Sequence, residues 1–364
     1  MNQFAFLTHP LSMKDVVRYA PKAAGKREPI VLKILEWMPP YKASDIQGVR
    51  SSNGTDIKGN FVMVPLMPKQ FLGLERRSVV ERVKKAALLG QKLGAKVVGL
   101  GGYNSVVGRA GKDVADSLDV AVTSGNSYTV ATALQGALKA AEVLDVELSR
   151  STVAVIGATG SIGSVCSRFL AKRVPRLVLS ARSKSRLKVL AETIQRESNT
   201  ALKVEMDLGR AMAEADIVIT ATSSGGSIIQ AEHLKTGAIV CDVAVPHDVS
   251  REVAQLRPDV LVIEGGLVEV PGEVEFGLDF GYPPGLALAC MAETMILTLE
   301  KRFENFSIGR GLDYDRVQEI ERLAARNGFR LAGFRAFDEP VTEEKIEQVK
   351  GYICESRKRL RVIS

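Results

Sequence analysis

The amino-acid sequence predicts an α/β protein: a Rossmann-type doubly wound parallel sheet with an N-terminal α/β substrate domain and C-terminal helices. Three observations predict this fold. The 364 residues are too many for one ordinary core. From Ser151 onward, short apolar strands alternate with helical segments, as a parallel sheet covered on both faces requires. The first of those strands runs directly into a glycine-rich turn, Gly157–Gly163, that opens a helix.

Residues 1–125 are expected to form the N-terminal domain, in which short extended runs alternate with helical patterns. Ile57–Pro65 reads as a strand ended by proline, Val79–Leu93 has helical spacing, and Lys96–Leu100 reads as a short buried strand. In the following segment, Ser127–Leu144, apolar residues recur along one helical face. We therefore expect a helix there that connects the two domains.

The second domain is expected over residues 126–282. Its six predicted strands are short, apolar and separated by helical or turn segments, which is typical of a doubly wound sheet. They are Thr152–Gly157, Arg176–Ser180, Ala201–Met206, Asp216–Ala221, Ala238–Val243 and Val260–Glu264. Residues 283–364 are expected to form a C-terminal helical segment that packs on the cleft. After a pair of prolines, one long helix is predicted as far as Phe306 and a second over Tyr314–Asn327.

The composition predicts a globular protein without a membrane span or a metal centre. Apolar residues make up 46% and charged residues 25%, and no apolar run approaches the roughly 20 residues that a membrane-spanning helix needs. The N-terminus carries no pattern of a secretory signal. The four cysteines lie far apart and the three histidines add no metal-ligand spacing, so we expect no metal. Free thiols in turn favour a reduced, cytoplasmic protein.

The formal net charge of +7 is concentrated in basic runs over residues 75–85, 301–302 and 357–361. One interpretation is that these runs are solvated helix faces that keep the protein soluble. The other interpretation is a docking surface for an acidic partner. Aromatic residues make up only 5% and no groove-reading motif accompanies the basic runs, which argues against nucleic acid as that partner.

The glycine-rich turn predicts a dinucleotide site. The first glycine permits the tight turn after the strand, the second lets the backbone approach a pyrophosphate, and the third allows the helix to pack against its strand. The pyrophosphate would then lie at the positive end of that helix. The alternative is a glycine-rich turn that binds no ligand. The predicted cofactor-binding residues here are Gly157, Ala158, Thr159, Gly160, Ser161, Ile162 and Gly163.

The end of the second strand decides which dinucleotide is expected. An NAD site carries an acidic residue there, roughly 20 residues beyond the glycines, whereas residues 179–186 contain none. Arg182, Ser183 and Lys184 instead offer donors for the 2′-phosphate of NADPH, and the arginine can bind it bidentately. An ordinary basic helix start is the alternative. The sequence therefore predicts NADPH as the cofactor.

A third cofactor contact is predicted after the fourth strand. Ala221, Thr222 and Ser223 lie at the carboxyl edge of the sheet, where ligands of such folds bind. The serine could instead cap the next helix, and both interpretations stay open. The same edge is expected to carry residues 242–247 and 264–268.

Cys290 is the candidate catalytic residue. It lies where a helix is expected to begin, after prolines and a glycine. A helix N-terminus can lower the pKa of a thiol and so favour the reactive thiolate. A cysteine surrounded by alanine, leucine and methionine is also an ordinary core residue, so the pattern alone leaves both interpretations open.

Several segments carry the motifs of a known family. The most specific are Ala289–Met295, around the cysteine, and Asn305–Arg310. The others are Trp37–Pro40, Gly54–Gly59, Leu100–Ser105, Thr123–Thr129, Val155–Gly163 and Glu264–Glu269. On these segments, from about residue 37 to about residue 330, the chain resembles the long-chain acyl-[acyl-carrier-protein] reductases, the aldehyde-forming enzymes of cyanobacterial type. The layout is also similar to that of shikimate dehydrogenases and glutamyl-tRNA reductases.

This resemblance implies a function. Cys290 falls where the family carries its acylated nucleophile. The thiolate would take the acyl group from an acyl carrier protein, or from coenzyme A, and NADPH would reduce the acyl-enzyme to a fatty aldehyde. An aldehyde-consuming enzyme is then a further expected partner. Backbone amides of Gly265 and Gly266, or the Ser223 hydroxyl, are candidate donors to the oxyanion.

The same resemblance assigns two groups of residues in the first domain. An acidic carrier is expected to meet the basic side chains of the first run, Arg76, Arg77, Arg82, Lys84 and Lys85. An acyl tunnel is one interpretation, and ordinary core the other, for the apolar residues Phe61, Val64, Leu66 and Phe71.

Two other functions stay open. A shikimate-type dehydrogenase would transfer hydride directly and would need a lysine–aspartate pair at the cleft. Lys14 and Asp15, and likewise Lys112 and Asp113, are adjacent pairs, but neither lies in that family's motif. A non-catalytic NADPH-binding regulator would leave Cys290 as a core residue.

Overall fold

A computed structural model describes residues 1–337 and 339–363. The side chains of residue 357 and residues 359–363 lie outside the description, and with them most of the basic run at 357–361. The elements up to residue 143 are β1 Asn2–Thr8, α1 Met13–Tyr19, α2 Glu28–Trp37, β2 Tyr41–Arg50, β3 Asp56–Met63, α3 Pro68–Gly73, α4 Arg76–Lys92, β4 Val97–Leu100, α5 Val107–Ala110, α6 Lys112–Ala115, β5 Ala121–Thr123 and α7 Asn126–Val143. Those that follow are β6 Thr152–Ile156, α8 Ser161–Ala171, β7 Arg176–Ser180, α9 Lys184–Glu197, β8 Ala201–Val204, α10 Leu208–Met212, β9 Ile217–Thr220, β10 Ile239–Asp242, α11 Arg251–Leu256, β11 Leu261–Glu264, β12 Leu267–Glu269, β13 Leu286–Leu288, α12 Ala289–Leu299, α13 Tyr314–Asn327, β14 Arg330–Leu331, β15 Arg335–Ala336, β16 Glu339–Pro340 and α14 Glu343–Ile363.

The first of two compact units comprises residues 1–129 and 267–330. Its five-stranded sheet has the order β2-β3-β1-β4-β5, in which β2 is antiparallel to β3 and the other neighbours are parallel. The predicted strands near residues 57 and 97 are confirmed as β3 and β4. No strand was predicted for the central β1, although Phe4, Ala5 and Leu7 on it are completely buried.

The second unit comprises residues 130–266 and 331–364. Its six strands are all parallel and have the order β11-β10-β9-β6-β7-β8. All six predicted strands are confirmed, with ends that differ by at most two residues, and the doubly wound Rossmann-type sheet is therefore confirmed. The strand order reverses at β6, which lies between β7 and β9. Ligands of such sheets bind beside the carboxyl ends of the strands at this switch point.

The C-terminal helices differ in part from the prediction. The long helix expected as far as Phe306 is shorter, because residues 286–288 pair with β12 as strand β13, and α12 runs only from Ala289 to Leu299. Lys301, with a φ of 55°, takes a left-handed conformation that ends the helical path. The second predicted helix is confirmed as α13.

Residues beyond Leu331 pack on the second unit. The ammonium group of Lys345 donates to the carbonyl oxygen of Pro258 at 2.8 Å. Arg251 pairs with Glu339 on the β15–β16 hairpin, with 3.0 Å between Nη1 and Oε1. The end of the described chain therefore covers the β11 side of the parallel sheet.

In the described part of the chain, no helix combines the length and the apolar character that crossing a membrane requires. Nor do the described residues contain a group of three or more His, Cys, Asp or Glu side chains placed to hold a metal ion. All four cysteines are free thiols, and Cys166 and Cys241 are buried.

Candidate active site

The glycine turn of the second unit has the geometry of a phosphate cradle. Gly157 has a φ of 80°, and a Cβ there would lie 2.5 Å from the carbonyl oxygen of Ala221. A Cβ on Gly163 would lie 2.4 Å from the carbonyl oxygen of Gly157, so both positions require glycine. Helix α8 begins at Ser161 with Gly160 as its N-cap, and no side chain caps its first turn. The amides of that turn therefore present the positive end of the helix beside the cradle.

The segment after β7 is on the surface. Arg182 and Lys184 are exposed, and no carboxylate lies in residues 179–186. Ser183 accepts a hydrogen bond from the Arg186 amide at 3.4 Å and so caps α9. Ser183 is therefore an ordinary helix cap, which agrees with the alternative interpretation. The side chains of Arg182 and Lys184 beside it project into solvent.

The loop after β9 is held by a buried aspartate, Asp248. Its carboxylate accepts hydrogen bonds from the hydroxyls of Thr220, Thr222 (2.6 Å) and Ser224 (2.9 Å). The hydroxyl of Thr222 is therefore already hydrogen-bonded to Asp248, so only the backbone of Thr222 is available to contact a cofactor. The side chain of Ser223 is exposed. Sequence reasoning missed Asp248, because it lies 24 residues or more from each of these partners.

Three ionisable groups meet at the carboxyl ends of β10 and β11. The His247 ring lies between Asp242 and Glu264, with Nδ1–Oδ2 and Nε2–Oε1 distances of 3.7 and 3.6 Å. Burial raises the pKa of Asp242 to about 7, against the opposing influence of the histidine. The amide of Gly265 donates to the Asp242 carbonyl at 2.8 Å within the sheet. The prediction that this amide stabilises an oxyanion is therefore wrong, since the sheet already uses it.

Cys290 lies in the first unit at the second residue of α12, close to its predicted place. Its backbone touches the turn that precedes α7: Gly125 has a φ of 75°, and a Cβ there would lie 2.2 Å from Cys290 Cα. This contact explains a glycine in the motif Thr123–Thr129, because any side chain would push the cysteine away.

The pKa of the Cys290 thiol is raised to about 12, chiefly by burial and then by the nearby carboxylate of Glu293. Backbone hydrogen bonds from Met291, Cys290 itself and Gly102 act in the opposite direction. The amides at the start of α12 therefore act to lower this pKa, as expected, but the net shift is upward. The amides are present, but desolvation outweighs them.

Glu293, one turn after the cysteine, is completely buried. Its carboxylate accepts hydrogen bonds from the Thr123 hydroxyl and, at 2.7 Å, from the Tyr128 amide. These two hydrogen bonds therefore link α12 to the end of β5 and to the first turn of α7. The sequence motif around Cys290 contained this residue, but the pattern gave no signal of its role.

His9 fixes the turn that contacts the thiol. Its Nε2 accepts from the Tyr103 amide at 3.0 Å, which places the proton on Nδ1, where it donates to the Pro10 carbonyl at 3.1 Å. Burial lowers the histidine pKa to about 4, so the ring is neutral. Gly102 has a φ of 55°, and a Cβ there would lie 2.6 Å from His9 Nε2. The ring therefore sets the position of the Gly102 amide, and sequence reasoning assigned it no role.

The residues expected to form an acyl tunnel pack as core. Phe61, Val64 and Leu66 are at most 1% exposed, and the Phe71 ring lies against His9 with 4.8 Å between the ring centroids. Of the two interpretations, the structure favours ordinary core.

The basic run on α4 is only partly available to a partner. Arg82 donates to the carbonyl oxygens of Leu35, at 3.2 Å, and Glu36, so it caps the end of α2. Lys84 pairs with Glu81 at 3.0 Å. The prediction that Arg82 is a docking residue is therefore wrong, while Arg76, Arg77 and Lys85 are exposed.

Comparison with known proteins supports the fold and the resemblance. Residues 138–264, which contain the glycine turn, match the sequence model of the shikimate/quinate 5-dehydrogenase family. A long-chain acyl-[acyl-carrier-protein] reductase of Synechococcus elongatus is 28% identical over 307 residues, which cover 80% of this chain and 87% of that protein. A glutamyl-tRNA reductase of Psychromonas ingrahamii is 30% identical over 119 residues, covering 30% of this chain and 27% of that protein.

A further similarity was not predicted from the sequence. The aminotransferase PigE of a Serratia species is 32% identical over 309 residues, which cover 84% of this chain. The match spans only 36% of the length of that protein. The similarity therefore concerns about a third of a longer protein.

Proposed function

We propose that this chain is an NADPH-dependent oxidoreductase that reduces a long-chain acyl thioester to an aldehyde through an acyl-enzyme on Cys290. The broader part, a nicotinamide-dependent oxidoreductase, is supported by the match to the shikimate/quinate 5-dehydrogenase family and by the confirmed Rossmann-type sheet. The narrower part is supported by the similarity to the acyl-[acyl-carrier-protein] reductase and by the surroundings of the thiol.

The cofactor site is proposed at the glycine turn and the two loops beside it. Gly157, Gly160 and Gly163 leave room for a pyrophosphate at the start of α8. NADPH is preferred to NADH because the segment after β7 presents Arg182 and Lys184 to solvent and contains no carboxylate. When bound, NADPH supplies the hydride for the reduction.

The observation that carries the thiol mechanism is the place of Cys290 at the second residue of α12, where no side chain caps the first turn of the helix. The backbone of Met291 and of the separate loop at Gly102 acts to lower the pKa of the Cys290 thiol, although burial outweighs it. Donors that converge on one sulfur can stabilise a developing negative charge there. They can do the same for the oxyanion of a carbonyl carbon bonded to that sulfur. We therefore assign the oxyanion donors to Gly102 and Met291.

The proposed reaction has two stages. The Cys290 sulfur attacks the thioester carbonyl, the bond to the carrier sulfur breaks, and the proton of the Cys290 thiol goes to the departing carrier thiolate. The resulting acyl-enzyme accepts a hydride at its carbonyl carbon and a proton at its oxygen. The thiohemiacetal then breaks its carbon–sulfur bond, which releases the aldehyde and returns the Cys290 thiol.

The proposed thioester donor is an acyl carrier protein, with coenzyme A as the other possible carrier. Arg76, Arg77 and Lys85 are the exposed cations of the first basic run that can meet an acidic carrier. The aldehyde product calls for a partner enzyme that consumes it.

A shikimate-type dehydrogenase is less well supported. In both adjacent lysine–aspartate pairs the carboxylate has a structural role. Asp15 accepts from the amides of Leu11 and Ser12 at the start of α1. Asp113 pairs with Arg109. Neither of these two pairs therefore offers an uncommitted carboxylate for direct hydride transfer.

Mass spectrometry of the protein mixed with an acyl carrier thioester, without NADPH, tests the proposal. We expect an acyl adduct on Cys290 and none in Cys290→Ala. Cys354→Ala, which removes an exposed thiol, is the matched control and should retain the adduct. A wild-type protein that forms no adduct but still produces aldehyde would refute the covalent route. Absence of both would favour a non-catalytic NADPH-binding protein.

A further inference from the structure

Helix α2 has apolar residues on two separate faces. Val31 and Leu35 pack inward into a small core cluster. On the other face Ile30, Ile34 and Trp37 are 45%, 48% and 80% exposed. Their spacing of four and then three residues places them along one line of the helix. We refer to these three residues as the apolar stripe.

Positive charges flank the apolar stripe. At 3.6 residues per turn, the positions of Arg27 and Lys33 fall about 60° to either side of Ile30, and both side chains are exposed. The two carboxylates, Glu28 and Glu36, fall about 160° and about 120° away from Ile30, towards the other side of the helix. The stripe is thus bordered by cations and separated from the anions of its own helix.

The loop before α2 adds to this charge. Lys22 and Lys26 precede the helix, and both are exposed. Glu28 is paired with Lys69 of α3, with 2.8 Å between Nζ and Oε1, so its charge is neutralised locally. Residues 21–37 therefore combine exposed apolar side chains with an excess of exposed positive charge.

We propose that the apolar stripe docks on an anionic lipid surface, with Trp37 and the two isoleucines entering the interface and the flanking cations meeting the headgroups. Tryptophan favours the membrane–water boundary, and short helices with a basic border and an apolar face bind there. The proposal concerns peripheral binding, and it does not depend on the chemistry at Cys290.

The size of the stripe favours a lipid surface over a protein partner. A helix of ten residues is about 15 Å long. Three side chains on its convex surface are too few for the ~800 Å² that each partner buries in a stable protein complex. A lipid interface needs no complementary pocket, and the excess of positive charge matches its negative headgroups.

Trp37 is the single tryptophan of the chain, so its fluorescence reports directly on the stripe. We expect a blue shift of the emission, and sedimentation of the protein, with vesicles of phosphatidylglycerol and phosphatidylcholine but not with pure phosphatidylcholine. Ile34→Glu should weaken binding at least tenfold. Lys33→Glu should weaken it about thirtyfold, because reversal removes the attraction of about two charges.

Matched control variants carry the same changes at exposed sites of the second unit. Leu256 is 70% exposed on α11, and Lys188 is exposed on α9. Leu256→Glu and Lys188→Glu should bind vesicles like the wild type. Circular dichroism should give an unchanged melting temperature for Ile34→Glu, since the side chain is exposed.

Three results would overturn the proposal. They are equal binding to neutral vesicles, undiminished binding of Ile34→Glu, and a wild-type dimer in sedimentation velocity that Ile34→Glu dissociates. The last would make a second copy the occupant of the stripe. Cys290→Ala should bind vesicles normally, so failure of the reductase assignment and failure of this proposal give separate results.

Discussion

Alkylation of Cys290 by iodoacetamide should be slow at neutral pH and should accelerate about tenfold for each unit of pH between 7 and 10. The reagent reacts with the thiolate, and the pKa of this thiol is raised from 9.0 to about 12. Three pKa units mean a thiolate fraction about a thousandfold smaller than that of an ordinary thiol, or about 4 kcal/mol in favour of the protonated form.

The two causes of the raised pKa can be separated. Burial is the larger cause and the carboxylate of Glu293 the second. Glu293→Gln should therefore accelerate alkylation by much less than a thousandfold, because desolvation, the larger cause of the raised pKa, remains. The amide of glutamine can still accept the hydrogen bond from Tyr128.

Peptide mass spectrometry at a series of pH values measures both effects. Cys354, which is exposed, is the internal reference in the same sample and should be modified first. The alkylation rate of Cys290 could instead level off below pH 9 or exceed the alkylation rate of Cys354. Either result would show that Cys290 is already a thiolate in the protein without substrate. Desolvation would then not be what controls the pKa of this thiol.

Three further variants test the proposed sites. Gly157→Ala should weaken NADPH binding at least tenfold by calorimetry, because the residue has a φ of 80° and no space for a Cβ. Gly351→Ala on α14, where a Cβ meets nothing, is the control. Arg182→Ala should raise the KM for NADPH about tenfold or more while it leaves that for NADH nearly unchanged. His9→Ala should lower kcat more than it changes KM, and it should cost about 1–3 kcal/mol of unfolding free energy, because the Tyr103 amide loses its acceptor. Since burial holds the His9 pKa at about 4, its protonation should cause no inflection of the rate between pH 6 and 8.

Each of these predictions has a contrary outcome. Normal NADPH affinity in Gly157→Ala would remove the turn from the cofactor site. Equal effects of Arg182→Ala on both nucleotides would refute the basis for NADPH. If His9→Ala loses stability but keeps its kcat, the histidine serves the fold and does not position the Gly102 amide.

The parallel sheet was predictable because its signals are local. Each strand from Thr152 to Glu264 is a short apolar run bounded by its own turn residues, and the glycine turn is continuous in sequence. β1 was not predictable in the same way. Its residues become a central strand only through pairing with β3 and β4, which begin more than 50 residues later.

The surroundings of Cys290 could not be predicted from local sequence either. The pattern around Cys290 predicted a helix start, but its pKa depends on Gly102 and on burial by distant segments. His9 reaches Tyr103 across 94 positions, and Glu293 reaches Thr123 across 170. No local pattern encodes such contacts, so sequence reasoning named the sulfur and missed the groups that control it.

The segment that follows β7 is a place where substitutions can accumulate during evolution. Arg182 and Lys184 project from the surface and lie outside the buried core, unlike the glycines of the turn, where a single added carbon meets backbone. A lineage can therefore exchange these two side chains without endangering the fold. If these side chains set the choice between NADPH and NADH, as proposed, that preference can change while the packing of the glycine turn stays fixed.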